Sequence, residues 1–180
     1  MHSIELVLDD AADRRVRAQW DALAAAGLPS QARHKGASNR PHVTLAVTEA
    51  IDSDVEDRLR AVVRALPLPL ALGGLMIFGS RRLVLARLVI ASAALLELQA
   101  AIVDVLDGLH DSRGHFAPGR WTPHVTLGRR LAVDQIGAAL LALEGDGHQA
   151  EEIHGQLVGA RRWDIEAKQT QSLTERALPG

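Results

Sequence analysis

The chain has 180 residues, 47% hydrophobic and 3% aromatic, which suffices for the core of one domain or two small fused lobes packed by aliphatic side chains. Its net charge of −2 excludes the broad basic field of non-specific nucleic-acid binders, so an anionic substrate must be held by local groups. With no cysteine, a disulfide framework, a thiolate metal site and a cysteine nucleophile are excluded.

The first residues, Met1-His2-Ser3-Ile4-Glu5, lack the basic segment and long apolar stretch of a secretion signal. The longest apolar run, residues 65–78, is interrupted by Pro67, Pro69 and Gly73-Gly74, so no membrane span is expected. A soluble, cytoplasmic protein is the expectation. Residues 4–8 read as a short strand. Residues 11–26 read as a helix, with Val16, Trp20, Leu23 and Ala24 at helical spacing and Asp9 or Asp10 as N-cap. A polar stretch, residues 29–40, leads into a strand at 42–47. Asp52 or Ser53 caps a helix running to about residue 66, with Val55, Leu59, Val62 and Val63 on its buried stripe.

The same order then recurs. Residues 83–90 read as a strand, and 92–109 as a helix with Leu95, Leu98, Ile102, Val105 and Leu106 on one face. A loop rich in Gly, His and Pro, residues 110–119, leads into a strand at 124–127. Residues 133–143 read as a helix. Further strands are expected within 69–78, with Gly73-Gly74 as a bend or bulge, at 153–158 and at 163–165. Gly145–147 reads as a turn, and the polar end, residues 168–180, reads as loose chain.

The pentapeptide Pro-His-Val-Thr-Leu opens both matching strands, at residues 41–45 and 123–127, so His42 and His124 lie 82 residues apart. On a strand, His and Thr at i and i+2 share one face, while Val and Leu turn into the core. A one-residue slip would bury the histidines, so the alternation fixes which side chains see solvent. A long-period duplication with two copies points to two lobes related by a pseudo-two-fold axis, not to a solenoid.

With its two His-x-Thr-x motifs, His42-Val43-Thr44-Leu45 and His124-Val125-Thr126-Leu127, each after a proline, the chain resembles the two-histidine (2H) phosphoesterase superfamily. That superfamily includes the 2′-5′ RNA ligase-like proteins and the RNA 2′,3′-cyclic phosphodiesterases. The resemblance spans about residues 4–163. It implies an α/β fold of the α+β type: a single bilobal domain over residues 1–180, with two antiparallel sheets facing a central groove and helices on the outer faces. It also implies that one histidine acts as general base and the other as general acid, that Thr44 and Thr126 hold phosphate oxygens, and that no cofactor or metal is needed.

Elementary chemistry agrees with this assignment. Hydrolysis of a cyclic phosphodiester needs a proton taken from water and one given to the departing oxygen, and imidazole exchanges protons near neutrality. Hydroxyls beside it can donate to non-bridging oxygens, where charge gathers. Among the arginines, Arg87 interrupts an apolar strand. It is either a phosphate clamp in the groove or a buried structural partner. Arg40, Arg81-Arg82 and Arg129-Arg130 read mainly as surface charge, one or two of which could supply local positive potential. Phe116 and Trp121 flank the second motif and are base-stacking candidates, against a plainer reading as packing under the loop. Trp20 and Trp163 read as packing. His34 and His115 lie in the loops before the motif strands, and His2, His110, His148 and His154 read as structural. The expected partners are RNA ends or small cyclic nucleotides. No membrane is involved, and a monomer is expected because nothing reads as a dimer seam. Two other readings remain open. One is an RNA- or nucleotide-binding module using the same groove without turnover. The other is a metallohydrolase, disfavoured because Thr and not a metal ligand accompanies each histidine.

Overall fold

The computed structural model describes residues 1–36, 38–106, 114–144 and 152–174. Eleven main elements follow in chain order: β1 (His2–Leu8), α1 (Asp10–Ala25), β2 (His42–Thr48), α2 (Ser53–Val62), β3 (Leu68–Phe78), β4 (Leu83–Val89), α3 (Ala93–Val105), β5 (His124–Leu131), α4 (Ile136–Glu144), β6 (Ile153–Asp164) and β7 (Gln169–Ser172). Among these residues no helix is long and apolar enough to cross a membrane.

Three helices begin where short polar side chains can take up free backbone donors. Asp9 accepts from Ala12 N at 2.8 Å, Asp52 from Val55 N at 2.9 Å and Ser92 from Leu95 N at 3.2 Å. Asp9 also accepts from Gln156 N at 2.6 Å, which fastens the start of α1 to β6. Glycine is required beside it: a Cβ at Gly155 would stand 2.8 Å from the Asp9 carboxylate and 2.9 Å from the Ala12 methyl.

All strands are antiparallel, in the order β2-β1-β6-β3-β4-β5, with β7 added along β6. The two separate sheets expected from the resemblance are therefore two halves of one continuous sheet. The reason is the length of β6, 12 residues. Its first part pairs with β3, from Ile153 opposite Leu72 to Leu157 opposite Leu68. Its remainder pairs with β1, from Leu157 opposite Leu8 to Asp164 opposite His2. The strands expected at 153–158 and 163–165 are thus one strand.

The motif strands β2 and β5 are the last strands of this path, yet they touch each other, so the sheet curls until its two ends meet. Trp121, just before β5, donates its Nε1–H to Thr44 O on β2 at 3.0 Å. The helices cross over in a reciprocal way. α1 packs on β5 and α4, and Trp20 donates to Thr126 O at 3.0 Å. α3 packs on β2 and α2, and Gln99 donates to Leu45 O at 3.3 Å. These donors satisfy carbonyls on the two strands that end the sheet. The core lies between the helices and one sheet face. Leu6, Leu8, Val16, Leu23, Val43, Leu45, Val125 and Leu127 are all fully buried there.

Other expectations are adjusted in detail. β3 runs through Gly73-Gly74, and its register against β4 shifts between Leu72 and Leu75, so the expected bulge is present. Residues 169–172, expected to be loose, form β7 along β6. Gln171 there donates to Glu56 at 2.6 Å, and Leu173 is buried in the core. The expected helix end near residue 109, the loop residues 110–113 with His110, the turn at 145–147, His148 and residues 175–180 lie outside the described residues.

Candidate functional site

Strand pairing sorts the sheet residues onto two faces, because neighbours directly opposite point the same way. His42 pairs with Val7 and Thr44 with Glu5. Glu5 in turn pairs with Arg161. On the other half, His124 pairs with Leu88 and Thr126 with Ala86. These residues lie on the sheet face opposite the helices. The alternation therefore puts His and Thr of both motifs on one face, with His42, Thr44 and His124 partly exposed and Thr126 buried at 7%, and turns the valine between them into the core.

Each imidazole is held in the same way. His42 Nδ1 lies 2.7 Å from Arg40 O, and His124 Nδ1 lies 2.8 Å from Thr122 O. A carbonyl only accepts, so Nδ1 carries the proton in both rings, and in the neutral tautomer Nε2 is left as the acceptor. The two motif strands share a second device. The β1–β2 register slips between Ile4 and Glu5, which leaves Leu45 as an extra residue. The β4–β5 register slips between Leu85 and Ala86, which leaves Leu127 as one. Beyond each bulge the alternation restarts, so that Val47 faces Ser3 and Arg129 faces Val84. Arg129 thereby joins the open face with His124 and Thr126. Gly128 turns to the helix side, where Pro29 O comes so close that a Cβ would overlap it.

The electrostatics connect the two motifs. Burial holds the His124 imidazole below its ordinary 6.5. The carbonyl of Thr122 opposes this, and the charges of Arg129 and His42 add to the lowering. The influence of His42 puts the two rings within electrostatic reach of each other. Phe78, 37% exposed, packs edge-on against His124, with ring centroids 4.9 Å apart at 67°. Beside His42 lies a buried ion pair. Arg161 donates from Nε and Nη2 to Glu5 Oε2, each at 2.8 Å, and Glu5 Oε1 stands 3.7 Å from His42 Nε2.

The lowered value of His124 carries a stability prediction. His2 is also held below 6.5, by burial first, with Asp164 opposing. For both, the unfolded chain takes up its proton at a higher pH than the folded one. The unfolding free energy should therefore fall as pH drops through 6.5, and this loss is absent above that value. Denaturant melts of wild type and His124→Gln between pH 7.5 and 5 should show a shallower decline in the variant.

The remaining expected residues are distributed as follows. Arg87 is 1% exposed and pairs with Val125, on the helix side of β4. Its Nη1 donates to Gly73 O at 2.8 Å and its Nε to Gln19 of α1 at 3.3 Å. It joins β3, β4 and α1 and is not brought beside the imidazoles. Trp121 is partly buried against the core, its N–H committed to Thr44 O, and the Phe116 carbonyl anchors Gln99 at 2.7 Å. Both rings thus lie in segments tied down by structural bonds. Sequence reading passed over Phe78 and Glu5. Arg129, one of the arginines read mainly as surface charge with one or two able to supply local positive potential, is exposed, and the bulge turns it to the face of the histidines. Among the described residues no cluster of three or more His, Cys, Asp or Glu side chains is placed to hold a metal ion.

Comparison with known proteins accords with this geometry. The pattern that defines the 2′-5′ RNA ligase superfamily matches residues 10–153. Among solved structures, Usb1 of Kluyveromyces marxianus superposes with a TM-score of 0.53 at 14% identity, covering 96% of each chain. A phosphoesterase superposes at 0.54 with 17% identity over 95% of this chain and 92% of its own. LigT of E. coli in complex with NADP+ gives 0.53 at 15% identity over 95% and 91%. At such identities these likenesses show a shared fold. No curated protein matches by sequence.

Proposed function

The chain belongs to the 2′-5′ RNA ligase superfamily, and from that premise we propose that it is a metal-independent phosphodiesterase that opens 2′,3′-cyclic phosphates, on RNA ends or small nucleotides, to 2′-phosphomonoesters. The observation that carries the reading is the pair of imidazoles. Both are anchored through Nδ1 to a backbone carbonyl, both offer Nε2, and the charge of one is felt by the other. One ring takes the proton of the attacking water and the other protonates the departing ribose oxygen. Thr44 and Thr126 share the face of the histidines and donate to the non-bridging oxygens. Arg129 supplies the local cation that a chain of net charge −2 needs to attract an anion. With a 5′-hydroxyl in place of the attacking water, the same two proton transfers would open the cyclic phosphate into a 2′-5′ linkage, the 3′-oxygen again leaving with a proton. We take the chain as one domain of two pseudo-symmetric lobes carrying motifs 42–45 and 124–127. The bulge at the last residue of each motif and the reciprocal crossing of α1 and α3 support that arrangement.

Nucleotides accord with the neighbours, since the Kluyveromyces marxianus Usb1 structure is also known with uridine monophosphate. The test is incubation with nucleoside 2′,3′-cyclic phosphates and cyclic-phosphate-ended RNAs in excess chelator, across pH. We expect hydrolysis to the 2′-phosphate that resists the chelator and has a bell-shaped pH profile. Tight binding without turnover would establish the binding module instead, and loss of activity on chelation would establish a metal enzyme.

A further inference from the structure

The two motifs are identical in sequence, but the residues at matching positions beside them differ in charge. Resting on the phosphodiesterase reading, we propose that Glu5 is a positioning residue that makes the histidines unequal, so that His42 protonates the leaving ribose oxygen and His124 takes the proton of water.

The asymmetry lies at matching register positions. The residue opposite the motif threonine is Glu5 on the first half and Ala86 on the second. The residue just beyond the bulge is Val47 on the first half and Arg129 on the second, 82 positions later. A carboxylate thus accompanies His42 where His124 has a methyl group, and a cation accompanies His124 where His42 has an isopropyl group.

Glu5 is 4% exposed, and its two oxygens have different duties. Oε2 takes both donors of Arg161, whose Nη1 goes on to Ser38 O at 2.8 Å. Oε1 takes only the Ser3 hydroxyl, at 2.7 Å, and is the oxygen that faces His42 Nε2 at 3.7 Å. The negative end of the ion pair therefore points at the ring and the positive end points away from it. A separation of 3.7 Å is too long for a hydrogen bond but short enough for charge attraction. The carboxylate oxygen thus faces His42 Nε2 without a hydrogen bond that would tie that nitrogen up.

His124 faces the reverse situation. Arg129 from its own strand and His42 from β2 both disfavour a positive ring. Phe78 from β3 covers its edge, and burial adds to the effect. A neutral Nε2 is what a base needs. In the step itself, the water oxygen bonds to phosphorus as His124 Nε2 takes its proton. The bond from phosphorus to the 3′-oxygen breaks as His42 Nε2–H gives its proton to that oxygen. One water is consumed, a 2′-phosphomonoester is left, and the proton on His124 returns to His42 through solvent.

A leaving group that needs no acid separates the roles. Nucleoside 2′,3′-cyclic phosphate is compared with its analogue bearing sulfur at the 3′ position, because a thiolate departs unprotonated. His42→Ala should lose at least about 10²-fold on the oxygen substrate and regain most of it on the sulfur substrate, whereas His124→Ala should lose similarly on both. Glu5→Gln keeps an acceptor for Arg161. It should lose about tenfold or more on oxygen and little on sulfur. Rescue of His124→Ala instead of His42→Ala would overturn the assignment. An equal loss of Glu5→Gln on both substrates would reduce Glu5 to a structural residue. A wild-type protein that turns over neither substrate would instead strike the phosphodiesterase reading itself, and the assignment would fall with it.

Discussion

His42→Ala and His124→Ala are each expected to lower kcat/KM for a nucleoside 2′,3′-cyclic phosphate by about 10²–10⁴-fold, the usual worth of one general acid or base. The double variant should be little worse than the poorer single variant, because groups that act in one step are not additive. Both rings lie on the face opposite the helices and are partly exposed, so their removal should leave the fold standing. Val43 and Val125, not the histidines, fill the interior. Steady-state kinetics beside circular dichroism melts of all three variants check this. A His42→Ala protein that keeps wild-type kcat/KM on an unactivated substrate would remove the mechanism.

The second large effect concerns a residue without a side chain. Gly128→Ala would drive a methyl group into Pro29 O and within 3.1 Å of Leu131 Cδ1. The carbonyl belongs to the backbone after α1, and α1 is itself tied to β5 by the Trp20 bond to Thr126 O. Neither side can give way without moving the other, so a cost near the upper end of the overpacking range, about 3 kcal/mol, is expected. The loss should extend to function. Relief of the clash must shift the strand just past the bulge, where Arg129 faces the open side, so the surviving folded protein should show a raised KM. Gly137→Ala in α4 is the control. Nothing stands within 4 Å of its added methyl, and it should be neutral or stabilising by about 0.5–1 kcal/mol. Urea melts of both variants decide the matter.

Much of this was legible in the sequence, for identifiable reasons. The motif strands announce their faces by strict alternation, and Asp52 and Ser92 mark helix starts that the structure keeps. Arg87 was also readable in principle. It falls in phase with Leu85 and Val89, both buried, so parity alone assigns it to the helix side. Glu5 falls in phase with Ser3 and out of phase with Ile4 and Leu6, the signal of a residue on the polar face. The position of Arg129 was not readable. A bulge is defined by the partner strand, and strict alternation past Thr126 would have put Gly128 on the open face. Phe78 meets His124 only because β3, β4 and β5 lie side by side, a long-range fact with no local signature. The single sheet was hidden for the same reason. Alternation marks β6 as a strand, but nothing in it says that one strand serves two neighbours in succession.

The position of β6 also bears on how the protein is made. The ribosome releases this strand after the other strands of the path, yet it sits in the middle of the sheet, between β1 and β3. Until residues 153–164 emerge, a nascent chain carries two unpaired strand edges, one on β1 and one on β3, each a template for intermolecular pairing. Translation past this segment is therefore the event that joins the two halves of the sheet, and a chain stalled shortly before it is the species a chaperone would have to guard.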